Sequence, residues 1–143
     1  MNIQITQEQN LLLAFASAWN RVERRLDSSL GSIRGISLAE YRLLRALADA
    51  PNSQASRVDL AHAVGLTPSG VTRALRPMEK LGIVSTIKSK RDARLAIAAL
   101  SPSGRDLVND ASAVVDDSMK ALLSHSSRVN ENLDQMVGLL EDI

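Results

Sequence analysis

The sequence predicts a mostly α-helical protein with a minor β component. Apolar residues make up 45% of the 143 positions, but there is one Phe, one Trp and one Tyr, so Leu, Val, Ile and Ala must supply the packing. This composition favours helices over a β-sandwich. Apolar residues also recur every three or four positions along most of the chain, as in amphipathic helices. The spacing of the apolar residues changes between residues 83 and 100. Two short runs rich in Ile, Val and Ala in this segment predict strands.

The amino-terminal part of the chain predicts two helices. The first covers residues 6–30 and is expected to end at Gly31 and Gly35, because glycine weakens a helix interior and favours its end. The second begins at Ser37, a typical N-cap, and Glu40 three positions later completes a capping-box pattern. The chain length fits one compact domain, or one domain with helical extensions for an oligomer.

A helix-turn-helix pattern follows. A short helix is predicted over residues 57–64 after the N-cap Ser56, and Gly65 ends it. Thr67 then caps another helix, which has Pro68 at its first position. The N–H that proline lacks would make no hydrogen bond within the helix at this position, so proline is tolerated there. Two helices joined by a glycine-containing turn of this length form a helix-turn-helix.

A β-hairpin and further helices complete the chain. Residues 83–87 and 95–100 predict two strands, and the polar segment KSKRDAR between them predicts a hairpin with a cationic tip, or wing, directly after the helix-turn-helix. Alanines in the second strand are expected to anchor this hairpin poorly. Ser101 and Pro102 begin another helix. A break at SHSS and a final helix, with an apolar stripe over residues 129–140, follow.

Charge is unevenly distributed along the chain, although the net charge is only +1. Residues 57–94 contain eight Lys or Arg against three acidic residues, a balance of +5. Residues 101–143 contain three basic residues against eight acidic ones, a balance of −5. A basic central segment beside an acidic end indicates that the central segment alone meets a polyanion. The alternative is that these charges only solvate exposed faces of the molecule.

The second helix of the helix-turn-helix has two distinct faces. One face is apolar and is expected to point into the core; it holds Val71, Ala74, Leu75 and Met78. The other face is suited to contact with nucleic acid, and it comprises Pro68, Ser69, Thr72, Arg73 and Arg76. Small hydroxyl residues at a helix start let the backbone approach a phosphate, and arginine offers a fork for guanine or phosphate. An ordinary exposed helix would account for the arginines alone. Pro77 is expected to kink this helix or constrain its last turn.

The wing tip carries several cations beside one acid. The cations are Lys88, Lys90, Arg91 and Arg94, and the acid is Asp92. A thin hairpin can lay an arginine into the minor groove of DNA, where narrow A·T-rich stretches concentrate negative potential. We expect Asp92 to pair with Arg94 or a nearby arginine and so to hold the tip in shape.

The segments LTPSGVTRALRPMEKLGIV, KRDAR and ALSPSGRDL, in this order and spacing, resemble the multiple-antibiotic-resistance-regulator (MarR) family of winged-helix transcription factors. AWNRVERRLDSSL and ISLAEYRLLRALADAP look like the first two helices of that family, so the resemblance covers nearly the whole chain. It implies a dimerisation helix in residues 1–36, a DNA-binding domain in residues 37–101 and dimerisation helices in residues 102–143. The recognition helix would cover about 68–81, and the wing about 83–100.

The resemblance also implies a mode of action. The protein would be a homodimer whose subunits each place one recognition helix in a major groove and one wing in a minor groove of double-stranded DNA. It would repress transcription from a pseudo-palindromic promoter site and be released by a small ligand. A rival interpretation is a protein-interaction module, an adaptor or antirepressor, that keeps the winged-helix fold but has weak DNA affinity.

A ligand site is implied by the same resemblance. Family members that respond to small aromatic anions bind them in a cleft between the dimer helices and the winged domain. In this sequence Trp19, Tyr41 and Arg42 could line such a cleft. The alternative for Trp19 is packing in the core or at a dimer interface, because it shares a helical stripe with Phe15 and Val22.

Other classes of function are disfavoured by what the sequence lacks. It has no Cys, which removes disulfides, thiolate catalysis and cysteine metal sites. His62 and His125 fall in separate segments, so we expect no metal site. With no glycine-rich phosphate loop and no nucleophile beside a base, we expect neither an enzyme nor a cofactor. We find no membrane span and no signal peptide, and expect a cytoplasmic protein.

Overall fold

The computed structural model describes residues 3–92 and 95–143. Its elements are α1 (Gln7–Arg34), α2 (Leu38–Asp49), β1 (Gln54–Ser56), α3 (Arg57–Val64), α4 (Pro68–Lys80), β2 (Val84–Lys88), β3 (Ala96–Leu100), α5 (Pro102–Leu123), α6 (Ser127–Asn130) and α7 (Leu133–Glu141), with a 3₁₀ turn at Pro51–Ser53. The predicted fold class, mostly helical with a small antiparallel sheet, is confirmed. In the described part of the chain, no helix combines the length and the apolar character needed to cross a membrane.

Helix α1 is longer than the sequence predicts. It continues through Gly31 and ends only at Gly35, whose φ of 69° is left-handed and whose N–H donates to the carbonyls of Leu30 and Gly31. The expected stop at Gly31 is therefore wrong. A glycine inside a helix costs only about 1 kcal/mol relative to alanine, and packing of the helix against its neighbours offsets that cost. The left-handed C-cap is what ends the helix.

Helix α2 begins with the predicted capping box. The Ser37 hydroxyl accepts the Glu40 N–H, and the Glu40 carboxylate accepts the Ser37 N–H. A carboxylate oxygen of Asp27, on α1, also accepts the N–H of Leu38 at 2.7 Å. These bonds satisfy amide groups that have no partner within the helix. They also attach the start of α2 to α1.

The core consists of two clusters of buried side chains. The larger lies among α2, α3, α4, the sheet and α5, and includes Leu43, Leu44, Leu47, Leu60, Val71, Leu75, Met78, Val84, Ala98 and Val108. The smaller joins α1 to α2 and α5, and includes Leu26, Leu30, Ile36, Leu38 and Ala111. Only the carboxyl-terminal half of α1 has buried residues. Its amino-terminal half therefore presents its apolar residues to solvent.

The sheet has three strands, in the order β1-β3-β2, and all pairs are antiparallel. The sequence predicts β2 and β3 to within one residue but not β1, because three residues are too few to show a period. Ala98 lies in the central strand opposite Ala55 and Thr86, and it is wholly buried. Since β3 is hydrogen-bonded on both sides, the hairpin is anchored more firmly than its alanines suggest.

The carboxyl-terminal segment also differs from the prediction. The break at SHSS is present, but the single final helix is divided into α6 and α7. At the division, the Asn132 side-chain amide donates to the Arg128 carbonyl at 2.7 Å, while the Asn132 N–H donates to Val129 instead. The side chain thus takes the place of the helical backbone bond, a competition for which Asn is suited.

Gly104, in the first turn of α5, lies against the chain entering β2. A Cβ at this position would overlap the carbonyl oxygen of Ile83 and lie 2.7 Å from the Leu100 side chain. We expect Gly104→Ala to lower the free energy of unfolding by about 1–3 kcal/mol, because the backbone must move to relieve the overlap. Urea denaturation measures this. Gly138→Ala, which meets no atom within 4 Å, is the matched control and should be neutral or stabilising. Equal stability of Gly104→Ala and the wild type would contradict the account.

Candidate nucleic-acid interface

The turn between α3 and α4 exposes the start of α4. Helix α3 ends at Gly65, with φ 70°, and its last turn is closed by the bond from the Leu66 N–H to the Ala61 carbonyl at 2.9 Å. Thr67 is the N-cap of α4, and its hydroxyl accepts the Gly70 N–H at 3.0 Å. Pro68 occupies the first helical position, and both Thr67 and Pro68 are exposed. These features agree with the sequence prediction.

Helix α4 has the two faces that its period predicts. Val71, Leu75 and Met78 are buried in the larger core cluster, and Ala74 packs against it. Ser69, Arg73 and Arg76 are exposed, and Thr72 is half-buried. Neither arginine makes an ion pair with a described residue. The helix runs without interruption past Pro77 to Lys80, so the proline lies one turn from its end.

The wing is the hairpin of β2 and β3, paired from Val84 opposite Leu100 to Lys88 opposite Ala96. The Ser89 hydroxyl accepts the N–H groups of Arg91 and Asp92 at 3.2 and 3.3 Å, and shapes the tip. The side chains of three predicted contact residues, Lys88, Lys90 and Arg91, are exposed.

Arg94 lies outside the described residues. The expected pairing of Asp92 with Arg94 therefore stays a prediction. We refer to the exposed groups Ser69, Arg73 and Arg76 of α4, together with Lys88, Lys90 and Arg91 of the wing, as the cationic face.

Arg57 connects the elements that carry the cationic face. Its Nε donates to the Thr72 hydroxyl on α4 at 3.1 Å, and one terminal nitrogen donates to Glu79 on α4 at 3.0 Å and to Thr86 on β2 at 2.9 Å. The Thr72 hydroxyl in turn donates to the Pro68 carbonyl. Sequence reasoning missed this network, counting Arg57 only as a basic residue. Its partners lie 15, 22 and 29 residues away, so no local pattern signals it.

The predicted ligand residues come from two neighbouring helices. The guanidinium carbon of Arg42 lies 5.8 Å from the centre of the Trp19 ring, close enough for a cation–π interaction. Trp19 is 43% exposed and belongs to neither core cluster of the described chain. Tyr41 instead packs on the smaller cluster, and its hydroxyl lies 3.0 Å from that of Ser112 on α5. Trp19 and Arg42 thus come together, whereas Tyr41 is bound to α5.

The two histidines lie on different parts of the fold. His62 is on α3 and His125 follows α5, and both are exposed. Across residues 3–92 and 95–143, no three His, Asp or Glu side chains are grouped as metal ligands would be.

Both ends of the chain contribute to an apolar surface. A depression is lined by Glu8 and by five apolar residues, which are Leu11, Leu12 and Phe15 of α1, Leu140 of α7, and Ile143. The five apolar side chains are between 41% and 90% exposed. We call these five residues the terminal apolar surface. Exposed patches of this kind mark sites of association, because burying apolar area is favourable.

The helix-turn-helix, the hairpin that follows it and the flanking long helices define a winged helix-turn-helix protein. The model of the MarR family matches residues 34–95. Over 99 residues the chain is 29% identical to the uncharacterized HTH-type transcriptional regulator YdgJ of Bacillus subtilis, a match that spans 69% of this chain and 59% of that relative.

Solved structures are similar over nearly the whole chain. The transcriptional regulator BldR from Sulfolobus solfataricus has a TM-score of 0.84 and 25% identity, covering 99% of this chain and 100% of the other. Sco3205 from Streptomyces coelicolor, a MarR family regulator crystallised in complex with DNA, has a TM-score of 0.82 and 22% identity, covering 99% and 91%. The chain is therefore similar to the MarR family over residues 34–95, in agreement with the resemblance that its motifs predict. The proteins named in these comparisons are regulators, in agreement with the prediction that this chain is not an enzyme.

Proposed function

We propose that this protein is a homodimeric transcriptional regulator that binds double-stranded DNA and represses from a pseudo-palindromic promoter site. The observation that carries the proposal is the cationic face, where exposed cations of α4 and the wing lie on two elements joined by a short turn. A role on the chromosome implies a cytoplasmic location. The domain boundaries expected from the sequence, at about residues 36 and 101, belong to the same proposal.

The chemistry of the cationic face suits duplex DNA. Arg73 and Arg76 are one turn apart on the exposed side of α4, so both can enter one major groove. The start of α4 is exposed, and the positive end of its helix dipole favours a phosphate there. Lys88, Lys90 and Arg91 then supply charge to the neighbouring backbone or minor groove. The related structure with DNA supports this assignment by analogy.

The terminal apolar surface supports the dimer. Its residues belong to the first and last helices, so a second copy seated there would bury both ends of each chain. A two-fold dimer presents two cationic faces in inverted orientation, and half-sites on the same side of B-form DNA are then about 10 base pairs apart. The proposal therefore includes a pseudo-palindromic operator.

Selection from a pool of random duplexes tests the proposal. The full chain is incubated with the pool, bound duplexes are recovered, and their sequences are compared with the input. We expect an enriched inverted repeat with half-site centres roughly 10 base pairs apart. No retention would contradict DNA binding and favour a protein-interaction module. Retention without sequence preference would contradict a site-specific regulator.

A small ligand that releases the DNA is the second part of the proposal. The contact between Trp19 and Arg42 supports it, because a cation beside an exposed aromatic ring suits an aromatic anion. Trp19 is the single tryptophan, so its fluorescence reports on this site. We expect saturable quenching by at least one compound of a panel of phenolic and aromatic carboxylic acids. Arg42→Ala should weaken that response roughly tenfold by removing a charged contact. No saturable response from any compound would contradict the ligand site.

A further inference from the structure

The Arg57 guanidinium is directed into the protein, not toward solvent. Its side chain is 15% exposed, and its Nη1 is buried. Its charge is paired with Glu79 at 3.0 Å, and Glu79 also accepts the Thr86 hydroxyl. Arg57 is thus a basic residue of the DNA-binding region whose charge is largely neutralised within the fold. Its contribution to phosphate attraction should be small.

The network of Arg57 joins three elements through side chains. Arg57 begins α3, Thr72 and Glu79 lie on α4, and Thr86 lies on β2 of the wing. Thr72 and Glu79 are seven residues apart, so the single guanidinium spans two turns of α4 on the side that faces α3 and the wing. The planar guanidinium fixes the directions of several donors at once, which a lysine ammonium does not.

We propose that Arg57 is a positioning residue, which sets the orientation of the wing relative to α4 and so determines how well both fit one DNA site. This inference rests on the proposed function. Specific binding requires both elements of the cationic face to meet their grooves together, whereas binding to arbitrary DNA requires mainly charge. Loss of Arg57 therefore lowers specific affinity and leaves nonspecific affinity nearly intact.

The same network gives Thr72 an internal role. Its hydroxyl accepts from Arg57 and donates to the Pro68 carbonyl in the first turn of α4. With its hydrogen already donated, the hydroxyl has none to offer to a base or a phosphate. The proposal places Thr72 with Arg57 as a positioning residue.

Equilibrium binding to two duplexes tests the proposal. Anisotropy titrations at one salt concentration compare the duplex selected from the random pool with one of scrambled sequence. Arg57→Met is expected to weaken binding to the selected duplex on the order of tenfold, the size of a lost base contact, and to change binding to the scrambled duplex by less than about twofold. Lys88→Met, an exposed wing cation, is the matched control and should weaken both.

A double-mutant cycle distinguishes positioning from direct contact. If Arg57 acts through Glu79, the variant with both Arg57→Met and Glu79→Leu should bind the selected duplex no more weakly than Arg57→Met alone. The pair is only half-buried, and replacing both members of even a buried ion pair by apolar residues is commonly tolerated by the fold. The double variant therefore carries the test if Arg57→Met does not fold, and its preference for the selected duplex should still be about tenfold below wild type.

The possible failures are distinguishable. Equal loss on both duplexes would assign Arg57 to phosphate contact and overturn the proposal. An unchanged preference in Arg57→Met, or additive losses in the cycle, would overturn it as well while leaving the proposed function intact. Wild-type protein with no preference among duplexes would overturn the proposed function and this inference with it.

Discussion

Leu11→Glu is expected to abolish dimerisation and to weaken operator binding on the order of a thousandfold. Leu11 is 57% exposed and lies on the terminal apolar surface opposite residues of α7 and the chain end. A buried glutamate would have to lose its hydration without a partner, which is strongly unfavourable. A monomer also cannot bind two half-sites at once. Binding two sites together typically raises the affinity by about 10²–10⁴, and the middle of this range is roughly a thousandfold.

A residue of the same helix provides the control. Ile33 is 59% exposed near the other end of α1 and is not part of the terminal apolar surface. Ile33→Glu should leave both the molecular mass in solution and the operator affinity unchanged. Light scattering with operator titrations measures both variants. Dimeric Leu11→Glu protein with wild-type affinity would place the subunit interface elsewhere.

Operator affinity should also fall on the order of a thousandfold between 50 and 200 mM monovalent salt. Each phosphate contact releases condensed counterions from DNA, so several contacts from each of two subunits add to a steep dependence. The exposed cations of the cationic face are the source of these contacts. Replacing Lys90 by Ala should reduce the slope of log affinity against log salt by about 2 per dimer, one unit for each subunit.

Arg45 is the control for this slope. It is an exposed cation on α2, it pairs with Asp49 at 3.1 Å, and it is not part of the cationic face. Arg45→Ala should leave the slope unchanged. Titrations at four or more salt concentrations give the slope for each variant. A wild-type affinity that is insensitive to salt would contradict recognition through the phosphate backbone.

The starts of four helices were predictable from the sequence because the chemistry of an N-cap is local. The caps Ser37, Ser56, Thr67 and Ser101 each accept an N–H from three residues ahead, as their spacing predicts. The two faces of α4 were predictable for the same reason. The spacing of its apolar residues is enough to place Arg73 and Arg76 on the face away from the core. Strand β1 was not predictable from the sequence. Its three residues form a strand only by pairing with β3, more than 40 residues away.

The candidate site shows the same division. The exposed cations follow from composition and helical spacing, but the Arg57 network depends on α3, α4 and β2 meeting in the folded chain. The division between α6 and α7 depends on a competition between the Asn132 side chain and backbone that a simple apolar stripe does not reveal. The resemblance to the MarR family, not periodicity, pointed to the combination of Trp19 and Arg42.

Sedimentation equilibrium of the full chain, alone and with the selected duplex, tests the central claim most directly. The account predicts a particle of two chains at micromolar concentration and two chains on each operator duplex. A single chain in both states, bound to the operator with high affinity, would contradict it, because one subunit offers only one cationic face.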